Sequence, residues 1–293
     1  MSNLILCCVA WFDRQLAPPD ETAEFPPMVD VIPFNARRFK SAAKHYLSGR
    51  PAYPTKLIET VTALCDLTAQ SRVLDLGCGP GQLALAFAPF AQSVLAIDPE
   101  PEMLALCRAQ VEKAGYGHIE VKQGSSGDLN DSFGRFDLVV IGRAFHWMDR
   151  TATLQILETM IEPGGAVVLF GDRHPKLSAN DWIATFDDIV EQYAATDTGR
   201  TIRKSPNWVK HETVLLASPF CRLERFSVIE EHQLSHDRIV DRALSRSSTT
   251  TARLGSQADD MIAELRQRLF VKDDVDVLTE IVEAEALIAR RPA

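Results

Sequence analysis

The sequence lacks a C-x-x-C pair and any cysteine–histidine spacing suited to zinc, so no zinc module is expected and no metal. Its six cysteines, at 7, 8, 65, 78, 107 and 221, read instead as reduced thiols, mostly small core residues of a cytoplasmic protein. It also lacks an apolar run near the roughly 18 residues that span a bilayer. The short apolar start from Leu4 to Trp11 has neither a basic flank nor a small-residue cleavage site, so it does not read as a signal peptide. Positive charge is in deficit: 31 Lys and Arg against 40 Asp and Glu leave a net charge of −9, which removes any general attraction for nucleic acid or an anionic membrane. Internal repeats and low-complexity tracts are absent. The remainder is ordinary globular composition, 46 % hydrophobic and 24 % charged, in 293 residues that suit one large domain or one domain with a substantial appendage.

Residues 1–34 read as an irregular arm, because Pro18-Pro19, Pro26-Pro27 and Pro33 break helices and acids cluster between them. From Asn35 to Ser48 the pattern turns helical, and Arg50-Pro51-Ala52-Tyr53-Pro54 stops it. Ile58, Val61 and Leu64 carry a second helix. Strands and helices then alternate. Strands are expected at Arg72–Leu76, Ser93–Ile97, Ile119–Lys122, Phe136–Ile141 and Ala166–Phe170, the last after a Pro163-Gly164-Gly165 turn. Such alternation implies right-handed crossovers and a doubly wound, mostly parallel α/β sheet. After Gly171 the alternation stops. Trp182, Phe186, Ile189 and Tyr193 share one face of a helix and read as core. Residues Arg200 to Lys210 read as a basic loop, Arg222–Glu230 as a strand, and Ala286–Ala289 as a closing strand at the sheet edge.

The informative segment is Asp75-Leu76-Gly77-Cys78-Gly79-Pro80-Gly81, where a buried strand runs into three alternating glycines and then a helix. Glycines there let backbone approach a ligand with no Cβ in the way. Seventeen residues past Gly81 the second strand ends at Asp98, placed to accept hydrogen bonds from the two hydroxyls of a ribose. The dinucleotide fingerprint G-x-G-x-x-G is not met, and Asp75 would repel a pyrophosphate. An adenosine with a cationic amino-acid tail suits this loop better than a nicotinamide dinucleotide.

With VLDLGCGPGQLA (73–84), VLAIDPEPEML (94–104), FDLVVIGRAFHWMD (136–149), IEPGGAVVLF (161–170) and AAKHYLSGRPAYP (42–54), the chain resembles the class I S-adenosylmethionine (SAM)-dependent methyltransferases, specifically the type 11 small-molecule group. The resemblance covers roughly residues 36 to 172. It implies a Rossmann-like seven-stranded sheet with an N-terminal lid helix and a C-terminal helical elaboration. Residues 35–293 would then form one domain, with a cofactor core over 35–171 and a lid and acceptor region with closing strands over 172–293. It further implies that Gly77, Gly79 and Gly81 wrap the methionine part of SAM while Asp75 orients its ammonium. Asp98 would take the ribose, with Pro99 and Met103 flanking adenine. Ser125 and Ser126 stand where family members often carry an acid near the adenine amine. Arg50 would pair with the SAM carboxylate and Tyr46 lie over the sulfonium.

Methyl transfer requires the acceptor and the methyl group to be held in line and shielded from water. A base is needed only if the acceptor must lose a proton. His146, just past the fourth strand, is the candidate base or acceptor-positioning group, with Arg143 and Trp147 as acceptor contacts. The expected activity is methyl transfer from SAM to a small-molecule acceptor, leaving S-adenosylhomocysteine, by a monomer or homodimer. Two other readings stay open at this point: a SAM-binding pseudoenzyme or regulator, and a methyltransferase acting on protein.

Overall fold

A computed structural model describes residues 31–33, 35, 37–270 and 277–292. The arm read over 1–34 therefore lies outside the described residues except for 31–33, where Ile32 is buried. Residues 37–42 form turns and the first helix, α1 (Ala43–Gly49), is shorter than the helix expected from Asn35. It is followed by α2 (Thr55–Leu64) and then by β1 (Arg72–Leu76), α3 (Gln82–Phe87), β2 (Ser93–Asp98), α4 (Pro101–Ala114), β3 (Ile119–Gln123), β4 (Phe136–Gly142), α5 (Arg150–Met160) and β5 (Ile161–Arg173). The distal part consists of α6 (Trp182–Ala194), α7 (Thr198–Lys204), α8 (His211–Leu216), β6 (Arg222–Ser235), α9 (His236–Leu244), α10 (Thr251–Leu254), α11 (Gln257–Leu269) and β7 (Val277–Arg290).

The seven strands lie in the order β3-β2-β1-β4-β5-β7-β6. β1 to β5 are parallel, and β7 runs antiparallel to both β5 and β6. The strand containing Ala286–Ala289 is thus longer than expected and does not close the edge; it is inserted between β5 and β6, and β6 is the edge strand. The Pro163-Gly164-Gly165 turn falls within β5 as a register shift opposite β4 between Phe136 and Leu138.

Because the central strands are covered on both faces, they read as nearly continuous apolar runs. Val73, Val94, Val140 and Val168 pack on one side against Leu57, Phe87 and Leu104. Leu74, Val139, Ile141 and Leu169 pack on the other against Leu154, Leu157 and Phe220. A separate core joins Phe186, Ile189, Ile239, Leu244, Met261 and Leu265, so α6, α9 and α11 form their own layer. Trp182 and Tyr193 pack at its margin. The residues expected to form a basic loop are helical as far as Lys204, because the buried Asp197 carboxylate caps α7 by accepting the Arg200 N–H at 2.7 Å.

Candidate active site

The crossovers of a doubly wound sheet leave a crevice outside the carboxyl ends of the strands, where the order reverses. Here that crevice is a cavity enclosing roughly 850 Å³ including its mouth. Its floor is the β1–α3 turn. All three glycines take positive φ, at 74, 52 and 85° for Gly77, Gly79 and Gly81. Gly77 and Gly79 line the cavity. A Cβ on Gly79 would meet nothing within 4 Å, so its open side is the cavity itself. Gly81 does not line the cavity; a Cβ there would stand 2.6 Å from the Cys107 sulfur, so it serves the packing of α3 on α4.

Asp98, at the end of β2, also lines the cavity. Its two oxygens accept the Gly79 and Glu100 N–H groups, each at 2.9 Å, which orients the carboxyl and ties the glycine turn to β2. Burial pushes this carboxyl up to about 6. Pro99 and the buried Met103 form the neighbouring wall with Ser125 and Ser126. Ser125 donates its hydroxyl to Asp128 at 2.7 Å, and Asp128 also accepts the Ser125 N–H at 2.7 Å. Asp128 is therefore held as a capping partner at this turn.

Asp75 is placed otherwise than expected. It is 1 % exposed, is not on the cavity wall, and accepts the Ala84 N–H at 2.8 Å inside α3. Burial pushes its carboxyl up to about 7.

The opposite wall carries Tyr46, Phe39, Arg38 and Trp147. Arg38 lies 4.2 Å from the centre of the Trp147 ring and pairs with Asp197 at 2.6 Å. Arg143 reaches the cavity in a left-handed backbone conformation, φ 54°, unusual for a residue with a Cβ. Its guanidinium is committed, however. It pairs with Asp172, donates to the Pro51 carbonyl at 2.9 Å and lies 4.5 Å over Tyr53. Arg143 thus fastens the Pro51 turn to β5 and has no free charge to offer an acceptor.

His146 and Arg50 are not among the residues that line the cavity. His146 Nε2 accepts from Arg203 at 3.1 Å, so its lone pair is engaged. Burial first, and then the charges of Arg203 and Arg38, hold the imidazole well below its usual range. That combination counts against a general base. Arg50 lies 5.7 Å from the Tyr46 ring centre and makes no ion pair among the described residues; its Nε is buried without a hydrogen-bond partner. The sequence reading missed Gly124, Glu100, Arg38 and Phe39, all cavity residues. A usable signal existed for the last two, which stand eight and seven residues before Tyr46, two helical turns away. The intervening turns at 37–42 spoil that periodicity.

This sheet order, with a glycine turn tied to an acid at the end of the second strand, is the frame in which the chain is compared with known proteins. Residues 73–165 match the family model described as "Methyltransferase domain". An uncharacterised methyltransferase of Mycobacterium tuberculosis H37Rv is 26 % identical over 230 residues, covering 78 % of this chain and 84 % of that protein. Among solved structures, the YcgJ protein of Bacillus subtilis superposes with a TM-score of 0.51 at 16 % identity over 82 % of this chain and all of that one. A SAM-dependent methyltransferase of Geobacter sulfurreducens, solved with S-adenosylhomocysteine, gives 0.50 at 17 % identity over 90 % of this chain and all of that one. The chain thus resembles the class I SAM-dependent methyltransferases, in sequence over residues 73–165 and in its fold. Among the described residues no helix is long and apolar enough to cross a membrane, and no cluster of three metal-ligating side chains occurs.

Proposed function

We propose that the protein binds SAM in this cavity and transfers its methyl group to a small-molecule acceptor. The observation that carries this reading is the convergence of Gly77, Gly79, Asp98, Met103, Ser125 and Tyr46 on one cavity. The polar groups fit the cofactor. Asp98 keeps lone pairs free for two ribose hydroxyls, and the half-buried Arg50, beside Tyr46 and without an ion pair among the described residues, is suited to an anion such as the cofactor carboxylate. Asp75 supports the glycine turn from beneath, and any action on the cofactor ammonium passes through that turn. SAM held there would supply an electrophilic methyl carbon on a sulfonium, a good leaving group for in-line displacement.

The remaining work is orientation and exclusion of water, worth roughly 7–11 kcal/mol in favourable cases. Tyr46, Phe39 and Trp147 wall the cavity with apolar surface, and that enclosure favours a small acceptor over a macromolecule. His146 serves by holding Arg203 against Trp147 rather than by accepting a proton. His146→Gln is accordingly expected to change the pH profile of kcat little, which steady-state assays between pH 6 and 9 would show.

The direct test of the cofactor reading is calorimetric titration of SAM, S-adenosylhomocysteine and NAD into wild type and Asp98→Ala. The expected result is binding of the first two, weakened about 10- to 100-fold by the substitution because charge-assisted hydrogen bonds are lost. Binding of NAD, or of none of the three, would overturn it.

A further inference from the structure

Acids around the distal helices, of which Asp197 and Glu280 are buried, are matched to particular cations. Asp197 takes Arg38 and Arg253, Glu191 takes Arg200 and Lys204, Asp187 takes Arg246, and Glu280 takes Arg242. Arg203, in the middle of this group, has no carboxylate among the described residues. Its Nη1 donates to His146, its Cζ lies 4.9 Å from the centre of the Trp147 ring, and its Nε is buried without a hydrogen-bond partner. Burial, and then repulsion from Arg200, Arg38 and Arg50, push the guanidinium down to about 10. Arg203 is half-buried, the charge of Asp197 opposes this repulsion only in part, and a cation partly withdrawn from water among like charges is costly unless an anion joins it. Trp147, the ring on which Arg203 lies, lines the cavity, whereas Arg203 itself is not among the lining residues and reaches it past that ring.

We infer that the methyl acceptor is a small organic acid, its carboxylate held by Arg203 beside Trp147. The inference rests on the SAM reading of the cavity, in which Arg50 is already assigned to the cofactor carboxylate and Arg203 is left over. The Trp147 face fixes the plane of the guanidinium, and a fixed fork of N–H donors is the geometry that matches a carboxylate. His146, by accepting one N–H as a neutral ring, orients that fork without cancelling its charge. The local excess of arginine also draws an anion into a protein whose net charge is −9.

The test titrates malonate, succinate, citrate and benzoate, each beside its amide, into the full chain saturated with S-adenosylhomocysteine. Wild type, Arg203→Met and Arg203→Lys are compared. At least one acid should bind where its amide does not, with affinity falling about tenfold or more in Arg203→Met and partly restored in Arg203→Lys. The dissociation constant for S-adenosylhomocysteine should stay unchanged in both variants. If the acids bind no better than their amides to a protein that does bind S-adenosylhomocysteine, the organic-acid inference is overturned and the SAM reading stands. If Arg203→Met weakens S-adenosylhomocysteine as much as it weakens the acid, Arg203 belongs to the cofactor site and the inference also fails. Absence of S-adenosylhomocysteine binding in wild type would remove the cavity reading itself.

Discussion

Asp75 illustrates how a single residue trades stability for position. Its carboxyl sits beneath the glycine turn with one hydrogen bond, from Ala84, and burial raises it to about 7 from an unfolded value near 3.8. An acid raised on folding keeps a proton that the unfolded chain has already released. It therefore costs nothing below about pH 4, costs progressively more as pH rises, and levels off above about pH 7. Asparagine would preserve the oxygen that accepts the Ala84 N–H and remove the ionisation. Asp75→Asn should consequently be more stable than wild type at pH 8, by about 1–4 kcal/mol, with the gap closing toward pH 4. Urea unfolding at several pH values reads this directly, and a gap independent of pH would mean that Asp75 is already ionised in the fold.

Among the elements, α1 depends most on distant sequence. It carries Tyr46 and leads into Arg50, yet it is held by α9, almost two hundred residues away. A Cβ on Gly49 would stand 2.5 Å from the Asp241 carbonyl carbon and oxygen and 2.6 Å from the Arg242 nitrogen, so the helices touch backbone to backbone. His45 Nδ1 lies 2.6 Å from the Asp241 carboxylate, which also accepts the Ser48 hydroxyl. Gly49→Ala should therefore lower stability by about 1–3 kcal/mol, the usual cost of overpacking. It should also weaken S-adenosylhomocysteine binding by tilting Tyr46 and Arg50. Gly79→Ala is the useful contrast: its Cβ meets no protein atom, so the loss should fall chiefly on binding, with about 1–2 kcal/mol of strain at φ 52°. S-adenosylhomocysteine affinity left unchanged in Gly79→Ala, or a larger loss of thermal stability there than in Gly49→Ala, would refute this division.

The same contrast explains what the sequence made legible. The β1–glycine–α3 unit and Asp98 depend on neighbours within about 25 residues, and their spacing announces them. The α1–α9 seam depends on partners that no local pattern marks, whereas the Asp197 cap of α7, three residues before Arg200, is a local signal.

At the scale of the whole molecule, β7 joins the parallel sheet to the helical layer, and it does so around a buried acid. Glu280 is fully buried, and Arg242 from α9 reaches it with both terminal nitrogens while His174 Nε2 lies 2.6 Å from it. An acid in a strand otherwise bearing Glu283 and Glu285 reads as solvent-facing, because the partners that neutralise it are 38 and 106 residues distant. This is why only the apolar end of β7 was foreseen, and foreseen as an edge. Burial alone would raise the Glu280 carboxyl, but His174 and Arg242 outweigh it and hold the group down at about 2. A depressed acid stabilises the fold fully above its unfolded value, near 4.5, and loses that contribution as pH falls toward 2. Arg242→Met leaves the buried carboxylate with His174 alone and should cost up to about 3–5 kcal/mol at pH 7, whereas adding Glu280→Met should restore most of it, since a buried pair replaced by apolar groups is often neutral. The double variant should also lose the Glu280 share of the acid-unfolding slope between about pH 4 and 2. A single variant as stable as wild type, or a double variant no better than the single, would show that α9 is held to the sheet by its apolar face alone.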